Sequence, residues 1–143
     1  MKQHINGIFV MILCALVWSS TGVAQNKISI VVNKANEQKL SESDLKDFFA
    51  GAKVNWPQGE KILIADQSTT NLGAEFYKKF LDKTVNQIKM QWTKLVLSGQ
   101  ASAPIKCETD DAVKKAVAEN KNAIGFIATA ALDGSVKEIL KIE

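Results

Sequence analysis

Short runs of β-branched residues alternate along the chain with longer segments whose apolar residues recur every three or four positions. The short runs predict β-strands, and the longer segments predict amphipathic helices. The predicted strands cover residues 27–33, 61–65, 122–128 and 136–142. This alternation is typical of an α/β fold, in which helices cover both faces of a largely parallel sheet.

The predicted helices begin at polar residues that can accept hydrogen bonds from the free N–H groups of a first helical turn. Ser41, Thr84 and Thr109 occupy such positions. Asp44 and Gln87 follow the first two by three residues and complete the capping-box pattern. These residues therefore predict three helix starts, in addition to the one that follows the polar loop described next.

A polar loop at residues 66–71 joins a predicted strand directly to a helix whose apolar stripe includes Leu72, Phe76 and Phe80. In open α/β sheets, ligands bind beyond the carboxyl ends of the strands. A helix N-terminus at that edge offers free N–H groups and a positive dipole end to an anion. The candidate ligand-binding residues are Asp66, Ser68, Thr69, Thr70 and Asn71.

Each of these loop residues has more than one possible role. The hydroxyl groups of Ser68, Thr69 and Thr70 could donate to an anion, and Asp66 could accept a proton from a protonated oxyanion. The alternative is purely structural, because serine, threonine and asparagine are also the usual helix-capping residues and Asp66 could simply fix the loop. The spacing alone leaves both interpretations open.

Three other positions have two interpretations each. Gly125 lies inside a predicted strand, which indicates close approach of either a helix or a ligand to the backbone. Trp56 and Trp92 could line a cleft, but packing in the core or in a turn is the preferred interpretation.

The first 24 residues have the order of a secretory signal peptide. Lys2 supplies positive charge, residues 8–18 form an unbroken apolar run, and Gly22 and Ala24 are the small residues before a cut. Spanning a bilayer takes about 20 apolar residues, more than this run contains. We therefore expect a periplasmic protein of residues 25–143, cleaved after about Ala24 and without stable membrane insertion.

Cleavage at this point would remove His4 and Cys14, the single histidine and one of the two cysteines. Cys107 would remain alone, so no intramolecular disulfide could form. A transition-metal site would lack its usual ligands, and a Ser-His-Asp triad could not be built. The sequence also lacks a Walker-type phosphate loop. We therefore expect a protein that is not an enzyme and has no metal and no cofactor.

The lysines are scattered along the chain, and 17 of them stand against 15 acidic residues once Lys2 is removed, which leaves a net charge of about +2. A nucleic-acid partner is not expected, because such proteins carry a clustered basic face. The chain contains no arginine. This absence matters because arginine is the usual bidentate clamp for phosphate and carboxylate groups.

Four segments, taken in order, resemble the phosphate-binding proteins of bacterial ABC uptake systems, which are type 2 periplasmic binding proteins. The segments are residues 31–33, residues 45–51 followed by Trp56, the loop at 66–70, and residues 123–126. The chain looks most similar to short, single-lobe phosphate ABC transporter substrate-binding proteins. The resemblance implies a PBP-like domain over residues 25–143, with phosphate or a similar small anion as ligand. It also implies an ABC transporter permease or an envelope protein as partner.

Members of that family hold a tetrahedral oxyanion between two lobes. The lobe seen here normally supplies an arginine and an Asp-Gly-Ser-Gly-Thr loop, whose amides and hydroxyls hold the phosphate. In this chain the arginine position is Ile64, and the loop reads Asp66-Gln67-Ser68-Thr69-Thr70, so both glycines are replaced. The resemblance therefore implies weak phosphate binding, a different ligand, or a cleft that a partner completes.

A second hypothesis belongs to another functional class. The chain could be a protein-interaction module of the cell envelope that keeps the binding-protein lobe fold without a ligand. The missing arginine and the missing second lobe motivate this hypothesis, and an exposed apolar face at the place where that lobe would dock would favour it.

Overall fold

The computed structural model describes residues 27–143, which form one five-stranded sheet and four α-helices. The proposed signal peptide and its cut after Ala24 lie outside these residues and stay predictions. The strands are β1 (Ile28–Val32), β2 (Leu63–Asp66), β3 (Ile105–Lys106), β4 (Ala123–Ala128) and β5 (Lys137–Ile142). The helices are α1 (Glu42–Ala50), α2 (Asn71–Leu81), α3 (Val85–Leu97) and α4 (Asp110–Glu119).

The sheet has the strand order β3-β2-β4-β1-β5. β2 pairs in parallel with both β3 and β4, whereas β1 is antiparallel to both of its neighbours, β4 and β5. Four of the five strands therefore point the same way, and β1 runs against them in the interior of the sheet. The predicted α/β class with a mostly parallel sheet is confirmed.

Helices cover both faces of the sheet, as expected. Helices α1, α2 and α3 pack on one face over an aromatic core, and α4 packs on the other face over a smaller aliphatic core. Phe76 of α2 stacks on Phe126 of β4, with ring centroids 3.9 Å apart and an interplanar angle of 12°. Residues of β1 divide between the two cores, since Ile30 faces the aromatic side and Val31 the aliphatic side.

The predicted helix caps are confirmed. The side chains of Ser41, Thr84 and Thr109 each accept a hydrogen bond from the backbone N–H three residues later. Complete capping boxes are present at the first two, through Asp44 and Gln87.

Strand boundaries differ from the predictions by one or two residues. β1 is one residue shorter at each end, β2 ends one residue later, and β4 begins one residue later than predicted. β2 begins at Leu63 rather than at residue 61, because Lys61 forms an isolated bridge with Asn55 and the Ile62 N–H donates to Val54. β5 begins at Lys137, one residue later than predicted.

Gly125 of β4 lies against helix α4. A Cβ at this position would come within 2.7 Å of Val113 Cγ1, so the close approach inferred from the sequence is made by a helix side chain. None of the helices within residues 27–143 combines the length and the apolar character needed to cross a membrane.

Candidate anion-binding site

The polar loop lies where three parallel strands end. Asp66 is the last residue of β2, and α2 begins at Asn71. Asp66 is in register with Lys106 at the end of the neighbouring strand β3, and its carbonyl accepts a 2.8 Å hydrogen bond from the Cys107 N–H. The loop therefore occupies the carboxyl edge of the sheet, where ligands of open α/β folds bind.

The carboxylate of Asp66 holds the loop in shape. Its Oδ1 accepts hydrogen bonds from the Ser68 N–H at 3.0 Å and from the Tyr77 hydroxyl at 2.7 Å. Burial, together with the negative charge of Asp66, raises the pKa of Tyr77 well above its ordinary value, so this phenol stays protonated and donates at neutral pH. Of the two roles considered for Asp66, Oδ1 performs the structural one. Oδ2 makes no hydrogen bond to the described residues and is free to face a ligand.

Thr70 is the N-cap of α2. Its Oγ1 accepts from the Gly73 N–H at 3.1 Å and donates to the Gln67 carbonyl at 2.9 Å. Because its hydrogen is already directed at Gln67, the Thr70 hydroxyl serves the capping role. It does not point a donor at a ligand in this conformation.

Gln67 anchors the loop, a structural role that its sequence position did not indicate. Its side chain is 2% exposed, and its Nε2 donates to Asp110 Oδ1 at 2.8 Å and to the Phe126 carbonyl at 3.1 Å. The amide therefore ties the loop to the start of α4 and to β4. No local pattern could have indicated this, because both partners are distant in sequence.

Gly73 allows α2 to start against the loop. A Cβ on this residue would lie 2.1 Å from the Gln67 carbonyl oxygen, which is a severe clash with backbone. The first turn of the helix can therefore approach the loop only because position 73 has no side chain.

Ser68 combines burial with an unused hydroxyl. The residue is 8% exposed and lines a cavity, yet its hydroxyl has no hydrogen-bond partner among residues 27–143. Thr69 also lines the cavity and is exposed. Thr70 and Asn71 are not part of the cavity lining, so of the five candidates the structure places Asp66, Ser68 and Thr69 at the cavity.

The cavity has a volume of about 430 Å³ and lies between the loop, α3 and the segment that leads into β3. Besides the loop residues, its polar lining includes Tyr77, Thr93 and two lysines, Lys89 of α3 and Lys106 of β3. Both lysines are exposed at the rim. They are further candidate positions that sequence spacing missed, because only the fold brings them next to the loop. The apolar lining consists of Ile64, Ile88, Trp92, Val96, Leu97 and Pro104.

The two tryptophans have different surroundings. Trp92 lines the cavity and is also part of the core, and its indole N–H donates to the Phe49 carbonyl at 3.0 Å. Trp56 is buried over the Asn122 carbonyl, to which its indole N–H donates at 3.0 Å. Each tryptophan therefore fits both interpretations, because Trp56 is also part of the core and lines a second cavity beside residues 35–39.

No protein-family model matches this sequence, and no match is found among curated proteins. Solved structures do match. They include an ABC-type phosphate transport receptor from Vibrio cholerae, with 24% identity and a TM-score of 0.62. A second is a putative phosphate ABC transporter substrate-binding protein from Clostridium perfringens with bound phosphate, with 20% identity and a TM-score of 0.59. A third is PstS from Borrelia burgdorferi, with 15% identity and a TM-score of 0.61.

Each of these matches covers 78% of this chain but only 44%, 43% and 46%, respectively, of the structures named. The chain therefore spans less than half the length of the proteins it is similar to. At these identities the likeness shows the fold. Two of the neighbours are described as a transport receptor and a substrate-binding protein rather than as enzymes. The described residues have the fold of one part of such a phosphate-transport protein, as the resemblance implied.

Proposed function

We propose that residues 25–143 act as a periplasmic solute-binding domain that holds phosphate or a similar oxyanion for ABC-type uptake or sensing. The anion would lie at the loop between β2 and α2. The observation that carries this proposal is the Ser68 hydroxyl: the residue is 8% exposed and lines the cavity, and the hydroxyl makes no hydrogen bond within residues 27–143. Each fully buried side-chain nitrogen and oxygen of the described residues has a hydrogen-bond partner, so the Ser68 hydroxyl is open to solvent and can donate to a ligand.

Backbone donors around Ser68 support the same ligand. The N–H groups of Thr69, Asn71 and Leu72 have no acceptor among the described residues, whereas the Thr70 and Gly73 N–H groups are used within the loop and cap. Free N–H groups at a helix start favour an anion because the helix dipole adds positive potential there.

Charge at the rim also fits an oxyanion. Lys89 and Lys106 bring two positive charges to the cavity, in the absence of an arginine. The Asp66 carboxylate is the one acidic group in the lining, and its free Oδ2 can accept the proton of a protonated oxyanion. We therefore expect the protonated form of the anion to bind better than the fully ionised one.

The test is a calorimetric titration of residues 25–143 with inorganic phosphate at low salt. We expect binding in the millimolar range, because an open site leaves the ligand partly hydrated. Ser68→Ala should weaken binding about tenfold or more, since a hydrogen bond to a charged group contributes about 1.5–3 kcal/mol. Ser43→Ala, at an exposed position in the first turn of α1, is the matched control and should bind like the wild type. Unchanged affinity of the Ser68 variant would contradict the proposal.

An interaction module is the second candidate, and one observation favours it. Leu97 is 83% exposed and Met90 is 63% exposed, and both lie on α3. If this surface docks a protein rather than bordering a ligand site, the domain should self-associate or hold an envelope protein without phosphate. Sedimentation velocity with and without phosphate separates the two, because a monomer at high concentration would count against self-association.

A further inference from the structure

The cavity beside the loop is larger than inorganic phosphate requires. Its volume of about 430 Å³ falls in the range of roughly 300–1,000 Å³ that is usual for sites of organic ligands. A phosphate ion has five heavy atoms, and the Ser68 hydroxyl with the free N–H groups of the loop would occupy only one end of this space. The remainder of the cavity needs a separate explanation.

Most of the remaining lining is apolar. Ile88, Trp92, Val96 and Leu97 contribute from α3, and Pro104 contributes from the segment before β3. Ile64 of β2 lines the cavity as well. An inorganic oxyanion gains nothing from such a surface, because apolar side chains cannot replace its water of hydration.

Leu97 is the most exposed apolar side chain of this wall. It is 83% exposed although it borders the cavity, and its neighbour Val96 is half-buried. An apolar group placed against these side chains would be removed from water together with them, which is favourable in proportion to the area covered.

The cavity therefore combines positively charged side chains and hydrogen-bond donors with an apolar wall. Lys89 and Lys106 lie at its rim, and Ser68 and Thr69 lie at the loop end. A ligand that satisfies both halves has an anionic head and an apolar body.

We propose that this cavity binds an oxyanion that carries an apolar substituent, of the organophosphonate or phosphate-monoester class, with its head at Ser68 and its body against α3. This inference rests on the proposed function for the position of the head group. It goes beyond that function by assigning the ligand class, because it favours an oxyanion with an apolar substituent over an inorganic one.

The test compares three probes on residues 25–143 by calorimetry: inorganic phosphate, methylphosphonate and phenylphosphonate. We expect phenylphosphonate to bind at least about tenfold more tightly than methylphosphonate, because it alone can cover the apolar wall. Leu97→Ser should reduce this preference several-fold and leave the affinity for methylphosphonate unchanged. Met90→Ser is the matched control, because Met90 is an exposed apolar residue of the same helix that does not line the cavity.

The outcomes separate this inference from the proposed function. Equal affinities for all three probes, each weakened by Ser68→Ala, would overturn the inference and leave the proposed function standing. Tight phenylphosphonate binding that Ser68→Ala does not affect would overturn both, because the head group would then lie elsewhere. A preference for phenylphosphonate that survives Leu97→Ser would overturn the assignment of the apolar body to α3, and no binding of any probe would overturn both proposals.

Discussion

The Tyr77 hydroxyl donates a 2.7 Å hydrogen bond to the carboxylate of Asp66, which joins the second turn of α2 to the end of β2. The same carboxylate oxygen accepts the Ser68 N–H. One atom therefore links the strand, the loop and the helix that together form the candidate site. This link keeps Ser68 at the mouth of the cavity and leaves the second oxygen of Asp66 free.

Removing this link should loosen the loop without changing the core. Tyr77→Phe keeps the buried ring and deletes only the hydroxyl. We expect a loss of about 1–3 kcal/mol in the free energy of unfolding, as is usual when a hydrogen bond to a charged group is removed. Urea denaturation measures the loss, and an unchanged midpoint would show that the bond does not stabilise the fold.

The same hydroxyl predicts how stability depends on pH. Burial and the charge of Asp66 raise the pKa of Tyr77 in the folded protein. The hydroxyl therefore contributes fully to the free energy of unfolding at pH values below the pKa of tyrosine in the unfolded chain, about 10. This contribution is lost as the pH rises further. The difference in unfolding free energy between the wild type and Tyr77→Phe should therefore shrink above about pH 10. Tyr77 is the single tyrosine, so its phenolate absorbance reports the shift directly. Titration at the ordinary tyrosine pKa would contradict the structure.

Gly73 should not tolerate a side chain. Gly73→Ala places a Cβ 2.1 Å from the Gln67 carbonyl oxygen, so the loop or the start of α2 must move. We expect a destabilisation of about 1–3 kcal/mol, typical of overpacking, together with weaker phosphate binding. Gly134→Ala is the matched control, because a Cβ there meets only the end of the Lys34 side chain at 3.9 Å. Equal thermal midpoints for the two variants would argue against the close approach.

Gln67 should act as a positioning residue for the loop. Gln67→Ala removes the two hydrogen bonds that the buried amide donates to Asp110 and to the Phe126 carbonyl. We expect a loss of about 1–3 kcal/mol in stability and a change in the amide resonances of Ser68 and Thr69. Gln100→Ala, at an exposed position after α3, should change neither measurement. Loop resonances that stay unchanged in the Gln67 variant would show that the loop does not depend on this tether.

Cys107 should be unreactive in the folded protein. The thiol is buried and donates to the Ile105 carbonyl, and burial raises its pKa above the ordinary value, with a further contribution from Asp66. The thiolate, which is the reactive form, is therefore scarce at neutral pH. Alkylation of residues 25–143 by iodoacetamide should be much slower in buffer than in denaturant. Similar rates under the two conditions would mean that Cys107 is accessible in the native state.

Much of the fold could be predicted because local signals are strong in this chain. Ser41, Thr84 and Thr109 marked helix starts through hydrogen bonds that form within one turn. The β-branched runs marked every strand except β3, which has only two residues and is too short for any periodicity to appear. The antiparallel direction of β1 could not be predicted, because strand direction depends on pairing with β4 and β5, which lie about 100 residues away.

The candidate site was predicted only in part, because the sequence reveals local patterns but not which distant residues the fold brings together. The loop at residues 66–71 was visible because it is contiguous, and its position at the sheet edge followed from the strand before it. Gln67, Lys89 and Lys106 were missed because their partners or neighbours in the site come from α3, α4, β3 and β4. Which hydroxyl caps the helix and which stays free was also undecided in the sequence, since Ser68 and Thr70 are chemically equivalent candidates.

An oxyanion bound at the start of α2 can be detected residue by residue with NMR. Phosphate should be titrated into isotopically labelled residues 25–143 while the backbone amide resonances are followed. We expect shifts concentrated at Ser68, Thr69, Asn71 and Leu72, with little change at Val85 and Asn86, which begin the equally well-capped helix α3. Absence of phosphate-dependent shifts at residues 66–72 at millimolar phosphate, or equal shifts at both helix starts, would contradict binding at this position.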